Sequence, residues 1–181
     1  MEIALFGGSF DPPHVGHVLA AAYVLATEPI DELWFVPVAG HPLGKPLQAS
    51  FEHRAHLCEL AIAELQRTRV SRIESELGGQ GRTVDLLEHL HRMYPDRKWA
   101  LVLGSDLAAE RPQWKRFDRI EQLARIIPLQ RAGFPVEGQP EGLLPQVSSS
   151  QVRAMLASGA DVSQLVPRAV LSAIRAAGTY R

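Results

Sequence analysis

An apolar run, Ile3–Phe6, ends at Gly7-Gly8 and passes through a short polar turn into an alanine-, leucine- and valine-rich segment over Val15–Thr27. This stretch constrains the fold more than any other. A buried strand that stops at glycine and feeds a helix N-terminus is the start of a βα unit, and α/β proteins hold phosphate groups at that junction. Glycine lets backbone approach a phosphate closely, and the first helical N–H groups have no partner inside the helix. His14 and His17 stand three residues apart at the head of the helix, so their imidazoles share a face. The stretch predicts a protein that handles a nucleotide.

The same alternation continues along the chain. Glu32–Val38 reads as a second strand, Ala39–Ala49 as a Gly/Pro-rich loop, and Ser50 opens a helix running to about Arg67. Arg69–Glu74 reads as a third strand, Val84–Tyr94 as a helix ended by Pro95, and Lys98–Leu103 as a fourth strand. Trp114–Leu123 is expected to be helical and Arg125–Gln130 to be a fifth strand. Ser148–Ser158 and Ser163–Ala177 are expected to be the last helices. Repeated βα units imply one α/β domain over residues 1–181, built on a parallel, doubly wound sheet with helices on both faces. Ligands of such sheets bind beyond the carboxyl ends of the strands.

Composition narrows the function classes. A net charge of −1 offers no field for nucleic acid or an anionic membrane. No apolar run is long enough to span a bilayer, and the N-terminus lacks a signal-peptide pattern, so a cytoplasmic location is expected. Cys58 is the only cysteine and sits among Leu57, Leu60 and Ala61, which makes it a small core residue. His14 and His17 could suggest a metal pair, but no third ligand stands near them, so no protein metal site is expected and phosphate contact is preferred.

The segment GGSFDPPHVGH resembles the N-terminal signature of the nucleotidylyltransferase superfamily, in the form typical of bacterial nicotinate-nucleotide adenylyltransferases. Three later segments agree in order: Gly104-Ser105-Asp106, Pro112-Gln113-Trp114-Lys115, and Val147-Ser148-Ser149-Ser150-Gln151-Val152-Arg153. The resemblance implies a Rossmann-like fold and a direct reaction between ATP and nicotinate mononucleotide. That reaction gives nicotinate adenine dinucleotide and pyrophosphate, with Mg²⁺ accompanying ATP. It implies catalytic roles for His14, His17, Lys45 and Arg153. ATP contact is implied for Gly7, Gly8, Ser9, Phe10, Gly104, Asp106, Ser149 and Ser150. Mononucleotide contact is implied for Thr83, Val84, Trp114, Lys115 and Arg131.

Each role has a plainer counterpart. Ser148–Ser150 can simply cap a helix, Asp106 can do the same, and Asp11 can cap a turn. Trp114 can be core, Lys45 can be solvated, and Arg54, which matches a family arginine at the start of its helix, can be solvated or salt-bridged. The chain also departs from the family pattern: His41-Pro42-Leu43-Gly44-Lys45 lacks the histidine before the lysine, and Arg82 and Leu86 replace a tyrosine and a threonine. Arg82 and Lys115 favour an acidic pyridine over its amide. The rivals are the same transfer to nicotinamide mononucleotide or phosphopantetheine, a nucleotide sensor without catalysis, and a metal hydrolase. Neither nucleic acid nor membrane is expected as a partner, and a homo-oligomer is left open.

Overall fold

In β1 (Glu2–Gly8), Ile3 and Leu5 point to one side of the sheet while Ala4 points to the other, all of them buried. The same alternation runs through β2 (Glu32–Pro37), where Leu33 and Phe35 oppose Trp34 and Val36. Strands apolar on both faces belong in the middle of a parallel sheet covered on each side. The computed structural model describes residues 1–40, 46–78, 82–105, 114–130, 136–138 and 144–181. Among these, β1, β2, β3 (Thr68–Val70), β4 (Lys98–Gly104) and β5 (Arg125–Leu129) form one parallel sheet in the order β3-β2-β1-β4-β5.

Seven helices are described: α1 (Val15–Thr27), α2 (Phe51–Ile62), α3 (Ile73–Leu77), α4 (Thr83–Met93), α5 (Phe117–Leu123), α6 (Ser149–Ala157) and α7 (Arg168–Ala177). Helices α1, α2, α6 and α7 supply Ala20, Ala21, Val24, Leu57, Val152 and Ile174 to one apolar layer. Helices α3, α4 and α5 supply Ile73, Val84, Leu87, Leu90 and Ile120 to the other. Each fully buried Leu, Ile or Phe contributes on the order of 1.5–3 kcal/mol by leaving water. Because β1 pairs with β2 on one side and β4 on the other, the order reverses at β1, and that switch point is where doubly wound sheets open a crevice. Among the described residues no helix is long and apolar enough to cross a membrane.

Several boundaries differ from the sequence reading, each for a local reason. β1 runs through both glycines, because Gly7 and Gly8 still pair with Val36 and Pro37. α2 stops at Ile62, not Arg67: Arg67 takes φ +60 and its guanidinium donates to the carbonyls of Leu25 and Ile30. The third strand ends at Val70, and Ser71 turns the chain into α3 by accepting the Ile73 N–H. α5 begins at Phe117 because Arg116 sits at φ +55. α7 begins after Pro167, whose ring disfavours helix in the residue before it.

Candidate active site

Beyond β1 the chain makes a tight turn whose parts are almost all inside. Phe10, Asp11 and His14 are buried, and Phe10 holds a left-handed φ of +47 that a bulky residue seldom adopts. His14 caps α1, and its backbone N–H donates to His17 Nδ1 at 3.1 Å. With Nδ1 accepting, the neutral imidazole of His17 carries its proton on Nε2 and presents a donor there. The two imidazoles stack at 3.7 Å, and the His17 ring meets Phe10 edge to face at 4.9 Å. Gly16 leaves room for this: a Cβ there would lie 3.0 Å from Val147 and 3.1 Å from the His14 ring. At Gly8 a Cβ would stand 3.0 Å from the Phe10 ring.

The helix terminus itself contributes less than its position suggests. Val15 N–H is taken by the Leu165 carbonyl at 2.9 Å and His17 N–H by the His14 carbonyl at 2.9 Å. The phosphate donors expected of this first turn are therefore, in large part, engaged within the protein. The side chains of His14 and His17 are what the turn presents.

A second helix start is docked on the same turn. Ser148 caps α6 by accepting the Gln151 N–H, as the plainer reading of the serine triplet has it. Ser149 Oγ donates to the Pro12 carbonyl at 2.9 Å, so this hydroxyl ties the helix to the turn. Arg153 donates to the Asp11 carbonyl at 2.7 Å and to Ser150 Oγ at 3.1 Å. The N–H groups of Ser149 and Ser150 open the helix and have no partner within it, and the α6 dipole adds positive potential beside them. His14, His17, Ser149, Ser150 and Arg153 are thus brought together around residues 9–12.

Two residues outside the predicted site hold this assembly. The buried Asp11 carboxylate accepts the N–H groups of Gln48 (2.7 Å) and Ala49 (3.1 Å) and the hydroxyl of Tyr180 (2.7 Å). It caps a segment 37 and 38 residues away, not its own turn. Arg54, which matches a family arginine at its helix start and could also have been solvated or salt-bridged, is 1% exposed and donates to the carbonyls of Ser9, Val38 and Ala49. Burial lowers its pKa while Asp11 acts in the opposite sense, and a guanidinium remains charged under both. No periodic or short-range pattern marks either partner set.

Candidate mononucleotide residues lie on the other side of the sheet. Thr83 and Val84 open α4, so their N–H groups face away from the helix body, while the Val84 side chain is buried in the second apolar layer. Trp114 is half-buried against Phe117, with ring centroids 6.0 Å apart, and Lys115 is exposed. Next to α4, Glu74 is buried with its carboxyl pushed up to about 7, first by burial and then by Asp85. Gly104 closes β4 opposite Leu129. Lys45, Asp106 and Arg131 lie outside the described residues, as do Pro112 and Gln113. Cys58 is fully buried and its thiol is pushed up by that burial, which suits a core residue.

A cytidylyltransferase-like family model matches residues 5–155. A protein of Myxococcus xanthus named a probable nicotinate-nucleotide adenylyltransferase is 45% identical over 181 residues, covering 99% of this chain and 95% of its own. A protein of the same description from Anaeromyxobacter dehalogenans is 47% identical, with 99% and 97% covered. Among solved structures, the Plasmodium falciparum nicotinic acid mononucleotide adenylyltransferase complexed with NaAD superposes with a TM-score of 0.81 at 20% identity, over 99% of this chain and 97% of that one. The turn, the sheet order and these whole-length relatives agree: the chain belongs to the cytidylyltransferase-like family and, within it, to the nicotinate-nucleotide adenylyltransferases.

Proposed function

We propose that this chain transfers the adenylyl group of ATP to nicotinate mononucleotide, forming nicotinate adenine dinucleotide and releasing pyrophosphate. The observation that carries the reading is the convergence on one turn of the stacked His14–His17 pair and the α6 terminus with Arg153. A phosphate oxygen of the mononucleotide attacks the α-phosphorus of ATP, and the bond to the α–β bridging oxygen breaks as pyrophosphate leaves. The nucleophile is already an anion, so the protein has no proton to remove. Its task is to align two polyanions and to stabilise charge on the bridging and leaving oxygens.

The His17 Nε2–H supplies a donor whose direction is set by Nδ1 and by Phe10. The first N–H groups of α6 and the remaining guanidinium donors of Arg153 suit the outer phosphates. Mg²⁺ enters as part of the ATP substrate. Among the described residues no three His, Cys, Asp or Glu gather, and the Asp11 carboxylate is committed to three hydrogen bonds. The donor set therefore fits a cation carried by phosphate and water.

At the acceptor end, the N–H groups that open α4 suit a carboxylate, Trp114 offers a ring face, and Lys115 adds a positive charge. Pyrophosphate release from ATP with nicotinate mononucleotide, nicotinamide mononucleotide or phosphopantetheine tests the reading. Preference for the acid by at least about tenfold is expected, equivalent to about 1.4 kcal/mol. A tenfold preference for either other acceptor overturns the acceptor assignment, and no release with any of them overturns the transfer itself.

A further inference from the structure

Beyond α7 the backbone bends to place one ring inside the protein. Gly178 ends the helix at φ +66, and two residues on Tyr180 adopts φ +64, a conformation that costs a non-glycine residue. The result is a phenol only 6% exposed, packed in the first apolar layer with its hydroxyl 2.7 Å from Asp11 Oδ1. Nothing in adenylyl transfer by itself calls for a tyrosine here.

Asp11 connects that hydroxyl to the phosphate machinery. Its carboxylate fixes Gln48 and Ala49, while its own carbonyl receives Arg153. The next carbonyl along, that of Pro12, receives Ser149, and His14 lies two residues further. We propose that Tyr180 is a positioning residue for adenylyl transfer, whose hydroxyl holds Asp11 so that His14, Ser149 and Arg153 keep a common geometry. Burial and the Asp11 carboxylate push the phenol pKa well above its ordinary value, so the group stays a donor across the neutral range. Arg54 and Arg153 lie near enough to act on it in the opposite sense. The inference rests on the adenylyl-transfer reading above.

Tyr180→Phe keeps the buried ring and removes one oxygen, so it tests the hydrogen bond without emptying the core. The expected result is a kcat for pyrophosphate release lowered about tenfold, with KM for the mononucleotide within about twofold of the parent. Val170→Ala serves as the comparison: Val170 is buried in α7 and is expected to lower the melting temperature while leaving kcat at its parental value. A role confined to stability would make the two variants alike, with kcat tracking only the folded fraction. Parental kcat in Tyr180→Phe, or an equal loss in Val170→Ala at matched melting temperature, overturns the inference while leaving adenylyl transfer intact. A parent that releases no pyrophosphate with any acceptor overturns both.

Discussion

The two sides of the sheet hold their candidate residues by different means. On the side of α1, α2, α6 and α7, buried and part-buried hydrogen bonds from four separate stretches of chain converge on Ser9–Pro12. On the side of α3, α4 and α5, Val84 and Trp114 are placed by apolar packing. Of the polar ties there, Arg116 and Arg119 to Glu88 are largely exposed and worth little, while His91 meets the Leu123 carbonyl at 2.8 Å and joins α4 to α5 without touching Val84 or Trp114. The contrast matches the two tasks proposed for these residues. In-line transfer tolerates little misplacement, and buried hydrogen bonds fix direction as well as distance. Recognition of a flat ring asks for a shaped apolar wall, which packing supplies.

The sharpest way to break this contrast is His17→Ala. If the His pair stabilises charge in the transfer, kcat falls about 10²–10³-fold. A pyrophosphate-release assay checks this, and a loss under about threefold would move the chemistry away from the turn. Arg54→Met probes the scaffold of the same side. It strands the Ser9, Val38 and Ala49 carbonyls and removes one of the cations near Asp11, at a cost of about 3 kcal/mol. For a chain of this length that lowers the melting temperature by roughly 10 °C. A change of only a degree or two would show the carbonyls to be resolvated cheaply.

On the other side, Glu74 carries the pH dependence. The folded protein keeps its proton up to about 7, whereas an ordinary glutamate releases it near 4.5. Between those values the folded state binds more protons than the unfolded one, so stability falls as pH rises from 4.5 to 7 and levels off above. Glu74→Gln removes that titration and is expected to be more stable than the parent at pH 8 by about 3 kcal/mol, with the two converging below pH 4.5. Urea midpoints at a series of pH values measure it, and identical slopes in parent and variant would refute it.

Much of this was legible in the chain because it is written locally. The alternation of strand and helix, the glycine pair and the His14–His17 spacing are all contiguous, and the parallel sheet follows from the alternation. What could not be read depends on partners far away. Nothing near Arg54 says that its guanidinium will meet Ser9 and Val38, and nothing near Tyr180 points to a carboxylate 169 residues earlier. The short helix α3 was hidden for another reason. Its residues continue a strand-like run, and only the turn at Ser71 decides otherwise. Even the occupancy of Val15 N–H could not be foreseen, since Leu165 supplies the acceptor.

The bonds at Asp11 also set an order of events during synthesis. They close loops of 37, 38, 142 and 169 residues, so the signature turn emerges from the ribosome long before its last partner. At 5–20 residues per second, roughly 8 to 35 seconds separate the two. In that interval the nascent chain exposes its glycine turn and both histidines without the side chains that fix them. A site assembled this way comes into being only after the chain has been made as far as Tyr180.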